Sequence, residues 1–246
     1  MGTPQGRKPT ADSTGPRGQV IDLESRRSRR EKRDGPGRIV RIAPENDGIR
    51  TLYGNDRHPD RLVSLDIIGW ALHESGTVSA LVPWLKDVVT ADLLADPLNG
   101  HCEGYWDPHG ERLLPAAPAH KVAELQAAIA FFGPARNDHR VVVQTFPDSA
   151  GTHAVMSSDG FHTVHLIEVV AWQLRGDGRV LAMLADRDRV TDTPVLATDR
   201  CLYPAQEDEA FRYFFQHSVA NQLKRHDPEA LACLAVLAGG GQAVPD

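Results

Sequence analysis

Short apolar runs separated by turn-prone stretches recur twice along this chain. The first run predicts a strand at about residues 38–43, then the turn-prone Glu45-Asn-Asp-Gly48, then a second strand at about 49–54. A longer apolar run, about 62–73, is apolar on both faces. Its even positions are Leu62, Ser64, Asp66, Ile68, Trp70 and Leu72, and its odd positions include Val63, Leu65, Ile67 and Ala71. Two apolar faces predict a strand covered on both sides. Glu74-Ser-Gly76 then turns the chain into a returning strand at about 77–84, since Gly supplies the positive φ of a tight hairpin.

The second series reads alike: strands at about 140–146, 152–157, 163–175 and 179–185, with turns at Pro147–Gly151 and Gly176-Asp-Gly178. Helical spacing follows each series. Val122, Leu125, Ile129 and Phe132 recur at helical intervals within 120–132, where Gly133-Pro134 ends the element. Phe211, Phe214, Phe215 and Leu223 suggest a counterpart over Glu207–Lys224. A last helix, Pro228–Ala238, has Asp227 as N-cap, Pro228 in its first turn and Gly239-Gly-Gly241 as its stop.

The two series align without gaps at an offset of 102 residues. Ser64–Val82 lies over Leu166–Leu184 with five of 19 positions identical: Trp70/Trp172, Leu72/Leu174, Gly76/Gly178, Val78/Val180 and Ala80/Ala182. The same offset brings Arg38-Ile-Val40 over Arg140-Val-Val142 and Leu94-Ala95 over Leu196-Ala197. The expected fold class is α+β, a tandem duplication of a four-stranded antiparallel meander plus helix. The halves, 38–135 and 136–246, would be related by a pseudo-twofold, with the last helix at the end of the second.

Residues 1–37 change the picture. Their apolar residues are essentially Val20, Ile21 and Leu23, too few to offset the entropy of ordering, so they are expected to form a disordered basic tail. The tail carries nine Lys or Arg against five Asp or Glu, a balance of +4, whereas residues 38–246 carry 18 against 28, a balance of −10. Arg26, Arg27, Arg29, Arg30, Lys32 and Arg33 cluster there, and Arg forks match phosphate oxygens. The cluster reads as an arm for nucleic acid or an acidic protein partner through residues 20–33, or as a charged segment that is only a linker or folds on the acidic body.

No apolar run reaches the roughly 20 residues a bilayer requires, and no apolar stretch near the N-terminus suggests a secretory signal. Three irregularly spaced cysteines exclude a disulfide scaffold. Of the 27 basic residues 22 are Arg, which suggests a GC-rich, bacterial source. A cytoplasmic protein without membrane attachment follows, a monomeric pseudo-dimer or a homodimer.

Candidate chemistry is sparse. Asp66 and Glu168 occupy one place in the two series, on the strand face of Trp70 and Trp172. Burial of an acid is costly unless it is paired. The two acids would either line a shared site across the pseudo-twofold or be held in salt bridges. The tryptophans would be core anchors or stacking platforms. Residues 99–111, which include His101, Cys102, Trp106 and His109, have no equal in the second series and have the composition of a functional loop. His101-x-Glu103 lacks the Pro-Cys-x-x-Cys partner of the zinc deaminases, and the paired spacing of structural zinc sites is missing too. Phosphate loops, nucleophile elbows and zincin motifs do not occur, so no catalytic residue, metal or cofactor is assigned.

The sequence therefore points to a non-enzymatic binding or regulatory protein that contacts DNA or an acidic partner through its arm. The alternative is an enzyme or small-molecule sensor with its site between the repeats near residues 99–111. Asp66, Glu168, Trp70, Trp172, His101 and Trp106 would be its ligand-binding residues.

Overall fold

The computed structural model describes residues 36–55, 58–94, 100–132, 137–185 and 202–239. The arginine cluster of the arm lies outside them. The first half contributes β1 (Ile39–Pro44), β2 (Arg50–Asn55), β3 (His58–Asp66), β4 (Gly69–His73), β5 (Val78–Trp84), β6 (Asp87–Thr90), β7 (His101–Asp107), β8 (Arg112–Leu114) and helix α1 (Ala119–Phe132). The second contributes β9 (Val142–Pro147), β10 (His153–Met156), β11 (His165–Arg175), β12 (Val180–Ala185), β13 (Leu202–Pro204), β14 (Phe211–Phe215), α2 (His217–His226) and α3 (Pro228–Ala238).

Every strand pairing described is antiparallel. The strands form three sheets, ordered β1-β4-β5-β6, β3-β2-β7-β8 and β13-β12-β11-β10-β14, with β9 also paired to β11. The architecture is mixed α+β, and from Pro36 onward the chain forms one compact unit.

The turn glycines explain the hairpins. Gly76 has φ +83° and Gly178 φ +90°, the left-handed region that side chains resist. Around the first turn His73 N–H donates to Thr77 O and Gly76 N–H to His73 O, both at 2.9 Å. The same two bonds recur 102 positions later, from Arg175 to Arg179 O and from Gly178 to Arg175 O, again at 2.9 Å.

The connectivity corrects the expected meander. The first strand of each half pairs with the C-terminal part of the long strand, β1 with β4 and β9 with β11. The second strand pairs with the N-terminal part, β2 with β3 and β10 with β11. In the first half the hairpin formed by the second strand thus belongs to a separate sheet, whereas in the second half both pairings run along β11 within one sheet. The long strand accommodates its two sets of partners differently in the two halves. In the first half it breaks at Ile67-Ile68, between β3 and β4. In the second it runs on, with a register shift between Val169 and Ala171. At the first bend a Cβ on Gly69 would lie 2.7 Å from Ile42 Cγ2 and 3.0 Å from Ala43 O, so only glycine lets β1 approach.

Two further expectations are corrected. Glu207–Lys224 is not one helix: a short 3₁₀ turn at Ala205–Glu207 leads into β14, and α2 begins only at His217. The register of β14 on β10 shifts where Val155 faces Tyr213 and Met156 faces Phe211. That bulge at Arg212 brings Phe211 and Phe214 onto one buried face, and their separation imitates a helical period. Residues 101–107 are not an unmatched loop either. They form β7, which lies on β2 as β14 lies on β10; only β8 has no counterpart among the described residues.

The last helix forms at the predicted residues, with Asp227 Oδ1 accepting the Ala230 N–H at 2.9 Å. The core divides into two clusters centred on Trp172 and Trp70, each indole with no exposed surface. Both clusters draw on both halves. Ile42, Ile68, Ala71 and Leu81 pack with Phe146, Trp172 and Phe214, while Val219 of α2 joins Trp70, Tyr53 and Leu125. Between the halves Gln144 forms a two-pronged contact with the Ile42 backbone: Ile42 N–H donates to its Oε1 at 3.1 Å, and its Nε2 donates to Ile42 O at 2.7 Å.

Candidate functional site

The buried tryptophans each meet an acid. Trp70 Nε1 donates to Glu45 Oε2 at 2.7 Å, and Trp172 Nε1 donates to Asp148 Oδ1 at 2.6 Å. Each acid ends a first strand and then holds the following turn. Glu45 Oε1 accepts the N–H groups of Asp47 at 2.6 Å and Ile49 at 3.3 Å, and Asp148 Oδ2 accepts that of Thr152 at 2.8 Å. Each acid's own N–H in turn reaches the long strand, at Ile68 O or Val170 O. Burial pushes the Asp148 carboxyl above its usual range, against the pull of the Thr152 and Trp172 donors. Trp70 meets Tyr105 edge-on at 4.8 Å, and Trp172 packs on Phe214 at 5.4 Å. Both indoles anchor the core, with their polar edges satisfied inside it.

Asp66 and Glu168 differ in their surroundings. Asp66 Oδ1 is 2.8 Å from Arg50 Nε, and its Oδ2 accepts the Ser218 hydroxyl at the start of α2. Gln216 and Gln222 tie the same helix to the Asp66 and Ser64 carbonyls. Glu168 is exposed and lies opposite His153 in the β10–β11 pair. No described contact joins the two acids.

Around Asp66 the halves enclose a cleft of about 540 Å³, lined among others by Glu45, Arg50, Asp66, His153, His217 and Ser218. The His153 and His217 rings meet edge-on at 5.2 Å. This cleft has the size of a small-molecule site and groups of both charge signs. Glu168, Trp70, Trp172, His101 and Trp106 are not among its walls.

His101 and Trp106 sit elsewhere, on β7. His101 Nε2 is 2.8 Å from Glu103 Oε1, with both side chains exposed, and Trp106 faces Arg50 on one side and Leu113 on the other. The β7–β8 turn is held by Asp107, whose carboxyl is drawn below its usual range by the N–H groups of Gly110 and His109 and by Arg112. That turn borders a second depression of about 540 Å³, with Asp47 and His120 on its far wall. Asp107 and His109 of the 99–111 stretch therefore border this depression and not the junction cleft, which separates two features that the sequence reading placed together.

Among the described residues no group of three or more His, Cys, Asp or Glu is placed to hold a metal ion, and no helix is long and apolar enough to cross a membrane. Glu45, Asp148, Arg50 and Ser218 went unnoticed in the sequence. A signal for the first two was present: in each half an acid ends the first strand, 25 residues before Trp70 and 24 before Trp172. No known protein family matches the chain, and neither the curated proteins nor the solved structures contain a match.

Proposed function

We propose that the chain is a non-catalytic binding or regulatory protein, a duplicated α+β body carrying an arginine-rich arm that contacts DNA or an acidic partner. The observation that carries this reading is that the groups the two halves share are engaged with one another. Trp70 and Trp172 are held by Glu45 and Asp148, and Asp66 is held by Arg50 and Ser218. The largest remaining concentration of charge is the arm, at +4 against a body of −10. Duplication is supported by turn bonds that repeat at 102 residues and by Ile42 and Gln144, themselves 102 apart, meeting each other. Self-meeting of equivalent positions is what a twofold relation produces.

A second reading is favoured by the junction cleft: a small-molecule sensor or enzyme whose site lies at Asp66, Arg50, His153 and His217. The two readings separate in a gel shift of the full chain against one starting at Arg38, at about 50 and 200 mM salt, a range over which several phosphate contacts cost orders of magnitude. Salt-steep binding that disappears with the arm supports the first reading. Absence of binding in both chains removes nucleic acid as the partner. Equal binding by both removes the arm from it.

A further inference from the structure

Residues 36–38, where the described chain begins, meet both hairpin turns that repeat at 102 residues, the one at 74–76 and the one at 176–178. The first turn takes up every carbonyl of this short segment. Ser75 donates its hydroxyl to Pro36 O at 2.8 Å. His73 donates its Nδ1–H to Gly37 O at 3.0 Å, and Glu74 its backbone N–H to Arg38 O at 2.9 Å. Gly37 takes a left-handed φ of +82° on the way past Glu74. The His73 ring is buried, and Ser79 Oγ holds its far side, 2.6 Å from Nε2.

Arg38 then joins the two turns. Its Nε and Nη2 donate to Glu74 Oε1 at 2.8 and 2.6 Å, and its Nη1 donates to Gly176 O. Positions 74 and 176 are themselves 102 apart, so one guanidinium bridges equivalent points of the two halves. The Arg38 side chain is only 12% exposed, where bonds from a charged donor are strong. The second half does not repeat the arrangement. Its equivalents of His73, Glu74 and Ser79 are Arg175, Gly176 and Leu181, and Arg140, the equivalent of Arg38, is exposed. The second turn forms the same two backbone bonds without them, so the turn itself does not require these side chains.

We propose that residues 36–38 are a clasp. Seated, they lock the hairpin turns of the two halves together. Released, they let each turn open by itself and loosen the junction. Whatever draws the segment from its seat acts on the junction through Arg38. The inference rests on this seat and not on what the arm binds.

Amide hydrogen exchange of the full chain tests it, with the substitution in one turn and the readout in the other. Glu74→Ala removes the first-half end of the clasp. The Gly176 and Gly178 amides, bonded to Val141 O and Arg175 O, are then expected to exchange at least about tenfold faster. Arg38→Met should speed exchange in both turns, whereas Arg140→Met should leave both within about twofold. If Arg38→Met does not fold, Glu74→Ala carries the test, since the Glu74 side chain is half-exposed. Trypsin gives a second readout: cleavage after Arg38 should be at least about tenfold faster in Glu74→Ala than in wild type. Exchange that rises in Glu74→Ala only around residues 36–38 and 73–77 overturns the clasp between the halves. Wild-type cleavage after Arg38 as fast as in Glu74→Ala overturns the seat itself.

Discussion

Asp148 shows how one buried group makes stability depend on pH. Its carboxyl lies among Trp172, Thr152 and the β9–β10 turn, and burial outweighs the hydrogen bonds from Thr152, Trp172 and Ala150 that favour its charge. The folded chain therefore holds this proton more tightly than the unfolded chain. Stability from this group is greatest below its ordinary value of 3.8 and declines as pH rises through the raised folded value. Asp148→Asn removes the titration. In urea unfolding from about pH 4 to 7, wild type should lose stability relative to that variant as pH rises. A gap that stays constant or widens in favour of wild type would refute the assignment. Asp159 behaves oppositely. The Thr163 N–H and then the Ser157 hydroxyl hold its carboxylate at about 2, so its contribution is present at neutral pH and is lost as pH falls from the ordinary 3.8 toward that value. Carbon-detected titration should find its midpoint near 2 in wild type and higher in Ser157→Ala. Neither acid was singled out in the sequence, because each sits in a polar turn whose composition is ordinary. The structure gives each its role through contacts 2 to 24 residues away.

At the scale of the element, signals that depend on neighbours in the chain were legible. Asp227 before Pro228 predicts the start of α3, and the cap forms. Asp227→Ala should cost about 1 kcal/mol, measurable by thermal unfolding. The turn glycines were legible too, but only as turns. The structure separates them by what surrounds them. A Cβ on Gly76 meets nothing within 4 Å, whereas one on Gly178 would lie 2.6 Å from Arg38 Cγ and 2.9 Å from the backbone N of Ile39. Both Gly→Ala variants carry the left-handed strain of about 1–2 kcal/mol. Gly178→Ala must in addition push β1 away, so it should be the more destabilising by at least about 1 kcal/mol in urea melts. Equal costs would mean that the chain at Arg38 yields freely. The elements misread from sequence were those set by long-range pairing. A bulge in β14 gave strand phenylalanines a helical spacing, and β7 joins its sheet through β2, some 50 residues earlier.

The whole molecule is held together by exchange between its halves, and this was the least legible level, since internal similarity suggests two separate cores. The structure instead sends Ile42, Ile68, Ala71 and Leu81 of the first half into the cluster around Trp172, and Val219 of the second into the cluster around Trp70. Each half alone would expose part of a core that the other completes, so neither should fold independently. The full chain is expected to unfold in a single transition, with the calorimetric enthalpy equal to the van't Hoff value. The Gln144 side chain is the sharpest probe of the junction. It satisfies both polar groups of Ile42, a residue 3% exposed, and Gln144→Ala leaves them unpaired at a cost of about 1–3 kcal/mol. For a body of this size that lowers Tm by about 2–4 °C per kcal/mol. If the halves are thermodynamically one, the variant melts earlier yet still in a single transition. Resolution of the melt into two transitions, in wild type or in the variant, would show that the shared clusters do not couple the halves, and that each half is stable by itself.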